Sequence, residues 1–515
     1  MKKIFKRNQI LPAVIVLLLI AGLAACKKNF LSTSPQGLVT QDAISKDPTA
    51  AQQLVDGVYN VMWLGGFGPD IHGLQYIVLT NIASDDGDKG STPSDYGDAA
   101  QVDALNVPAS NANINNIWQG YYQGISRANQ ALSQLQNAQF DAATKNRLIG
   151  EVRFLRGYFY FNMVRFFGGV PLLDKVPAAS DANNPQYQTR ATAQQIYNFI
   201  ISDLQFADDN LPTKDKTQVG RATKGAAQGL LAKVFLYQKN YQRAYALADS
   251  VITGKSGAYS LYPTYEDIWR EKGENSSESL FEVQTGTSNA CNTAIQIYSD
   301  SQGPRSSQNA AQGAWPTGDL GFGFNNPSQS LVNEYEAGDK RKAGTIIFIN
   351  PTNPTILWDG FKVPSQQSVE NSRYNYKAYH SRTGLEKSCG NNDFLPKNLR
   401  VLRLADVMLI HAEAAFQTGN IGAATTDLTQ IRARAGLTAP SVVNLQTIWH
   451  ERRVELAMEH DRFFDLVRQD AVQPGRAASA FAADGKTWAA KDALFPIPQP
   501  QIDLSGGKLS QNPGY

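Results

Sequence analysis

Eight charged residues could in principle make a proton-handling centre: Arg153, Arg156, Glu451, Arg452, Arg453, Glu455, Arg462 and Asp465. Arginine–carboxylate forks satisfy several donors at once, so the same residues also suit buried ion pairs that join helices, and that is the expectation here. Metal chemistry has little to start from. The five histidines (His72, His380, His411, His450, His460) form neither HExxH nor another helical metal spacing. No GxSxG elbow, Walker motif or dinucleotide glycine motif occurs. A glycosidase needs two carboxylates ~5–9 Å apart across a cleft. Any chain with 46 acidic residues could supply such a pair, and nothing singles one out; neighbours such as Asp85 and Asp86 usually point apart. The run Ser84-Asp-Asp-Gly-Asp-Lys-Gly90 is rich in oxygen and could bind Ca²⁺, but it lacks EF-hand spacing, and a solvated polar loop is expected. No cofactor motif stands out, and the chain reads as a binder rather than an enzyme.

The elements that would position a site are mainly helices. In 221–238 the apolar residues Ala227, Leu230, Leu231, Val234 and Phe235 fall on one helical face. After Lys239-Asn240 a second helix runs through Tyr241, Ala244, Leu247, Ala248 and Val251. A like pair follows the same register: Leu404, Val407, Met408, Ala412 and Ala415, then Gly419-Asn420, then Ile421, Ala424, Leu428 and Ile431. The small residues Ala232 and Ala244 match Ala412 and Ala424 in spacing, as in tetratricopeptide hairpins whose helices approach closely. Further helices are expected at 114–136, 142–167, 194–210 and 444–468. The 142–167 segment is apolar almost all round and should be buried, stopped by Gly168-Gly169 and Pro171. Two stretches, about 64–113 and 254–400, are rich in Gly, Asn, Ser, Asp and Pro, with short strand-like runs at Leu280–Gln284 and Thr345–Ile349. Loops this long are usually functional. The expected fold class is mostly α: a tetratricopeptide-like helical hairpin scaffold with large irregular insertions, in one domain over 26–515.

Residues 1–25 read as a lipoprotein signal peptide. Lys2, Lys3, Lys6 and Arg7 precede an apolar stretch from Ile10 to Ala25, and Leu23-Ala-Ala-Cys26 has the form of a lipobox. The stretch is shorter than the ~20 residues of a membrane span and contains Pro12. Cleavage would leave Cys26 acylated, and several acyl chains at ~0.8 kcal/mol per CH₂ hold a protein firmly in a membrane. Without the four basic residues of the leader, 44 Lys and Arg face 46 Asp and Glu, so there is no electrostatic reason to bind nucleic acid. Cys291 and Cys389 could pair outside the cytoplasm, for up to ~4 kcal/mol, or stand as free thiols.

A series of motifs in order resembles the SusD/RagB family of outer-membrane nutrient-binding lipoproteins of Bacteroidota. It begins with Cys26-Lys-Lys-Asn-Phe-Leu and Trp118-x-x-Tyr121-x-x-x-Ile125-x-x-Ala128-Asn129. It runs through Glu151-Val-Arg-Phe-Leu-Arg-Gly-Tyr-Phe-Tyr-Phe161, Phe167-Gly-Gly-Val-Pro-Leu172, Gly220-Arg-Ala-Thr-Lys224 and Arg403-Leu-Ala-Asp-Val407. It ends with Glu451-Arg-Arg-Val-Glu-Leu456, Arg462-Phe-Phe-Asp-Leu466, Leu494-Phe-Pro-Ile-Pro498 and Gln511-Asn-Pro-Gly-Tyr515. The resemblance implies a lipid-anchored protein on the outer face of the outer membrane. It would bind glycans and hand them to a SusC-like TonB-dependent transporter, with the transporter on the repeat side and the ligand on the insertions. A helical-repeat adaptor without a ligand and a binder of a peptide-type nutrient remain as alternatives.

A sugar offers flat C–H faces and hydroxyl edges, so its site needs aromatic platforms and polar edge contacts. With 21 Tyr, 23 Phe and 7 Trp the chain can supply them, and the insertions hold Trp63, Asp85, Tyr96, Tyr298, Trp315, Phe322, Phe324 and Trp358. By composition and position, Tyr96, Tyr298 and Trp315 are the expected platforms, with Asp85 and Arg305 as edge contacts. Trp118, inside a helix motif, is expected in the core.

Overall fold

A computed structural model describes residues 41–63, 68–181, 184–284, 294–307, 310, 320–381, 383 and 397–515. Cys26, Cys291, Cys389 and Trp315 lie outside the described residues. The longer helices are α1 (Pro48–Tyr59), α2 (Ala112–Leu135), α3 (Ala142–Phe167), α4 (Ala193–Asn210), α5 (Lys224–Tyr237), α6 (Tyr241–Ile252), α7 (Leu404–Gln417), α8 (Ile421–Ala435), α9 (Leu445–Glu455) and α10 (Arg462–Asp470). From α2 to α8 each packs on the next in chain order, and α9 packs back on α7. No described helix is long and apolar enough to cross a membrane.

The hairpin register seen in the sequence has a physical copy. Helices α6 and α8 are capped by Asn240 and Asn420, whose side chains accept from the backbone N–H of Arg243 and Ala423. The residue before each cap, Lys239 or Gly419, takes a positive φ of 56° or 86°. In both turns the cap N–H donates back five residues, to Phe235 or Ala415. Ala232, Ala244, Ala412 and Ala424 are fully buried where the helices approach. Helix α3 is buried over its last two-thirds, as its apolar circumference requires.

Helix α3 ends at Gly168, whose φ of 71° and ψ of −130° suit glycine alone. A Cβ on Gly169 would run into the carbonyl oxygen of Ala191. Replacing Gly169 by alanine should therefore cost about 1–3 kcal/mol, read as a lower urea midpoint with an unchanged slope.

Among the described residues eight short strands form four antiparallel pairs: β1 (Gly87–Gly90) with β3 (Phe324–Pro327), β2 (Ser279–Val283) with β8 (Leu399–Arg403), β4 (Ile346–Phe348) with β7 (Arg373–Asn375), and β5 (Thr355–Ile356) with β6 (Lys362–Val363). The strand-like runs near 280 and 345 are thus real strands.

Two expectations need correction. The 64–113 stretch is not irregular throughout. Leu74–Ile77 is α-helical and Val78–Ile82 is a π-turn, both fully buried in the main core. The expected 444–468 helix is two helices, parted by a corner where Met458 and His460 hold φ of 64° and 73°. The two corrections are linked. The Asn81 side chain donates to the Met458 carbonyl (3.2 Å) and accepts from the His460 N–H (3.1 Å), so the buried π-turn clamps the corner.

Candidate functional site

The charged residues near the C-terminus are structural. Glu451, Arg452, Arg453, Glu455, Arg462 and Asp465 are all buried, and each is ion-paired. Arg156 forks onto Asp203 at 2.7 and 2.9 Å, and Arg153 lies 3.8 Å from the same carboxylate. His72 and His460 are in the core, His411 stacks on Tyr245 and meets Asp427, and His450 pairs with Glu334.

This network also claims one of the expected ligand residues. Asp85 is fully buried, with both carboxylate oxygens held by Arg462 (2.6 and 2.7 Å) and one also by Arg453 (3.0 Å). It has no edge to offer a sugar. Asp86 meets the same Arg453 at 2.8 Å, so the adjacent carboxylates converge on one guanidinium instead of pointing apart. The Ser84–Asp86 run is buried rather than solvated. Tyr298 is likewise no platform: it is 7% exposed, and its hydroxyl bonds His460 Nε2 at 2.9 Å.

Arg305, far away in sequence, is brought onto the segment that carries Tyr96, at Ser91 and Asp95. The pairing of β1 with β3 brings Ser91 beside Gly323, whose carbonyl accepts from the Ser91 N–H at 2.6 Å. Arg305 Nη1 donates to Ser91 Oγ (2.7 Å) and to the Asp95 carboxylate, and Ser91 Oγ donates to Asp95 at 2.8 Å. Burial works against the charge on Asp95, but the Ser91 hydroxyl and the Arg305 guanidinium together hold its carboxyl below its usual value. The Lys89 ammonium pins the turn by donating to the carbonyls of Thr92 and Asp95. Behind the pair, the buried Tyr374 hydroxyl accepts from the backbone N–H of Asn371 (3.0 Å) and, at longer range, Arg305 (3.4 Å). Tyr96 packs edge-on against Phe324 and donates its hydroxyl to Asn113. Half-buried, it is a wall rather than a free platform.

The open ring here is Phe322, 39% exposed. It sits between Gly321 and Gly323, and a Cβ on Gly321 would strike the Asp300 carbonyl oxygen, while Gly323 (φ +76°) leaves only 3.1 Å to Arg305 Cβ. The chain is drawn in tightly on both sides of the phenylalanine. Phe322 is one of the insertion aromatics that the sequence singles out, whereas Asp95 carries no sequence signal of its own. The Arg305 and Asp95 side chains are 29% and 31% exposed. Gly323, the residue after Phe322, packs on Arg305 and accepts from the Ser91 N–H, so the segment that carries the exposed ring runs against the half-open guanidinium–carboxylate pair. Elsewhere, Trp358 is exposed over Arg270, whose guanidinium also stacks on Tyr376.

Comparison with known proteins agrees with this architecture. A family model described as SusD family matches residues 277–515, and one described as starch-binding associating with outer membrane matches residues 39–236. A SusD-like protein of Bacteroides ovatus is 26% identical over 496 residues, covering 90% of this chain and 83% of the relative. SusD-like protein P2 of Formosa agariphila is 24% identical over 520 residues, 98% of each chain. Among solved structures, a laminarin binding SusD-like protein is 30% identical with a TM-score of 0.73, over 91% of this chain and 99% of that one. Surface glycan-binding protein A from Bacteroides uniformis is 25% identical with a TM-score of 0.74, over 90% and 99%. With a 30% identical relative covered almost end to end and the helical hairpin fold in common, the chain belongs to the SusD/RagB family.

Proposed function

We propose that this protein is a surface glycan-binding lipoprotein, anchored through acylated Cys26, that captures oligosaccharides and delivers them to a SusC-like TonB-dependent transporter of the outer membrane. The observation that carries the reading is the exposed Phe322 on the segment whose Gly323 packs against Arg305 of the half-open Asp95–Arg305 pair. A pyranose C–H face lies on the ring while hydroxyls donate to the carboxylate and accept from the guanidinium. The pair is already locked by Ser91 and Lys89, so little side-chain freedom is lost on binding. The similarity to a laminarin binding SusD-like protein and to a surface glycan-binding protein, and the lipobox-like Leu23-Ala-Ala-Cys26, support the same reading. Trp315, outside the described residues, stays a proposed second platform.

Native gels cast with laminarin, starch, xylan or mannan test it. At least one polymer should retard the protein, and Phe322→Ala and Arg305→Ala should each weaken that retardation by about tenfold or more at unchanged melting temperature. Retardation that both variants preserve rejects this site. Free migration through every polymer rejects glycan capture.

A further inference from the structure

A groove of about 680 Å³ lies between α2 and the helix Gln499–Leu504, away from the Asp95–Arg305 pair. That volume falls within the ~300–1,000 Å³ usual for small-ligand sites. Its lining has an unusual chemistry for a protein surface: it contains no Asp, Glu, Lys, Arg or His. Gln119 and Gln123, four residues apart on α2, stand exposed on one helical face. Gln501, from the facing helix, donates to Asn115 Oδ1 at 2.9 Å, which fixes its amide at the rim. Between the amides lie rings held in place. Tyr122 donates its hydroxyl to the Pro171 carbonyl (2.8 Å) and packs against Trp118, with centroids 5.1 Å apart. Tyr187 forms a further part of the lining, and Leu504, 80% exposed, borders the opening.

Uncharged amides recognise hydroxyls as both donor and acceptor, and the ring faces suit apolar C–H surfaces. The charges nearest the lining, Lys508 on Gln188 and Asp174 on Tyr187 (3.5 Å), are one of each sign, so a charged ligand would lose hydration here for little net counter-charge. We propose that this groove is a second binding site, for a neutral oligosaccharide segment, built by the Tyr122 and Tyr187 rings with the amides of Gln119, Gln123 and Gln501. The proposal rests on the glycan-capture reading. Tyr96 bonds Asn113 in the first turn of α2, and the groove begins at Trp118, about 8 Å further along the same helix axis at ~1.5 Å per residue. Two sites on one chain raise the affinity for a long polymer above that for a short piece, because the second contact is intramolecular.

Calorimetry of the mature chain with laminarihexaose and with maltohexaose, alongside laminarin and starch gels, tests the groove. Two hexasaccharides should bind per wild-type chain. Gln123→Arg, which places bulk and charge at an exposed helical position, should leave one, and Tyr187→Ala should do the same. Phe322→Ala should also leave one, at the groove. Either Gln123→Arg or Tyr187→Ala should weaken polymer retardation about tenfold or more while the melting temperature holds. A single hexasaccharide per chain, lost in Phe322→Ala and unchanged in both groove variants, overturns the groove and leaves the first site standing. Binding lost in Gln123→Arg and untouched in Phe322→Ala supports the groove and overturns the first site. A wild-type chain that binds neither hexasaccharide and passes freely through both polymers overturns both.

Discussion

Replacing Arg452 by methionine should lower the unfolding free energy by about 3–5 kcal/mol, the usual cost of leaving buried charges unpaired. Arg452 is 1% exposed and reaches three carboxylates: Asp465 at 2.7 Å, Asp406 at 2.5 Å and Asp461 at 3.5 Å. Asp461 is also held by Lys233 and by Arg165 (3.1 Å), and Asp406 by Lys233 (2.9 Å). Helices α3, α5, α7, α9 and α10 therefore meet at one buried knot of charge. Burial alone would push the Asp461 carboxyl up; Lys233, Arg165 and Arg452 together hold it far below the usual range. Methionine fills much of the arginine's volume but removes the one cation that spans all three acids, leaving Asp465 to Arg468, which Glu413 already holds, and Asp406 and Asp461 to Lys233 and Arg165. Arg452→Lys keeps the charge without the planar fork, so its loss should be smaller. Urea titrations of the three proteins measure this. A methionine variant within about 1 kcal/mol of wild type would mean that the carboxylates find other partners and that the knot does not fasten the helices.

The parts of the fold legible from sequence are those in which a local pattern dictates the outcome. The α5–α6 and α7–α8 hairpins show helical periodicity, and Asn240 and Asn420 mark their turns. Gly168-Gly169 was readable because the backbone conformation and the close approach of Ala191 both demand glycine. The corner between α9 and α10 was hidden because Met458 and His460 adopt left-handed backbone with no glycine to announce it. Asn81, nearly 380 positions away, holds them there. Asp85 and Tyr298 looked available for the same reason. Each lies in a polar or loop-rich stretch, and only the folded chain delivers Arg462 to one and His460 to the other. Arg305 does reach the segment that carries Tyr96, but the Tyr96 ring is half-buried, and the exposed ring of that region is Phe322. Local sequence reports propensity and burial period; which ring remains exposed is settled by contacts between distant segments.

Acid should weaken this protein through two buried, neutral histidines. His72 and His460 both pack against the buried Tyr76 ring. Thr80 spends its hydroxyl hydrogen on the Tyr76 carbonyl (2.5 Å), so it accepts from His460 Nδ1–H (2.7 Å), and Nε2 accepts from the Tyr298 hydroxyl (2.9 Å). His72 follows the same scheme, with Nδ1–H donating to the Met62 carbonyl and Nε2 accepting from Tyr158. Both rings are thereby neutral. Burial pulls His72 down to about 4 and His460 to about 3, the latter also opposed by the His72 charge and only partly offset by Asp461. Unfolded, both titrate near 6.5. Between that value and the folded ones the unfolded chain holds more protons, so stability falls as pH falls. The slope approaches about 1.4 kcal/mol per pH unit for each ring, and the loss reaches roughly 3 kcal/mol per ring by pH 4. His450 has the opposite sign. Its bond to Glu334 raises its value, so its stabilisation is full below 6.5 and fades as pH rises through the raised one. Urea unfolding of the wild type from pH 7.5 to 4.5 should show the steepest loss below 6.5. The double variant His72→Gln, His460→Gln should start less stable at pH 7.5, because glutamine only partly replaces the ring contacts, yet lose far less on acidification. If both proteins lose stability with the same slope, the protons responsible bind elsewhere, and the neutral histidine pair is not what ties this core to pH.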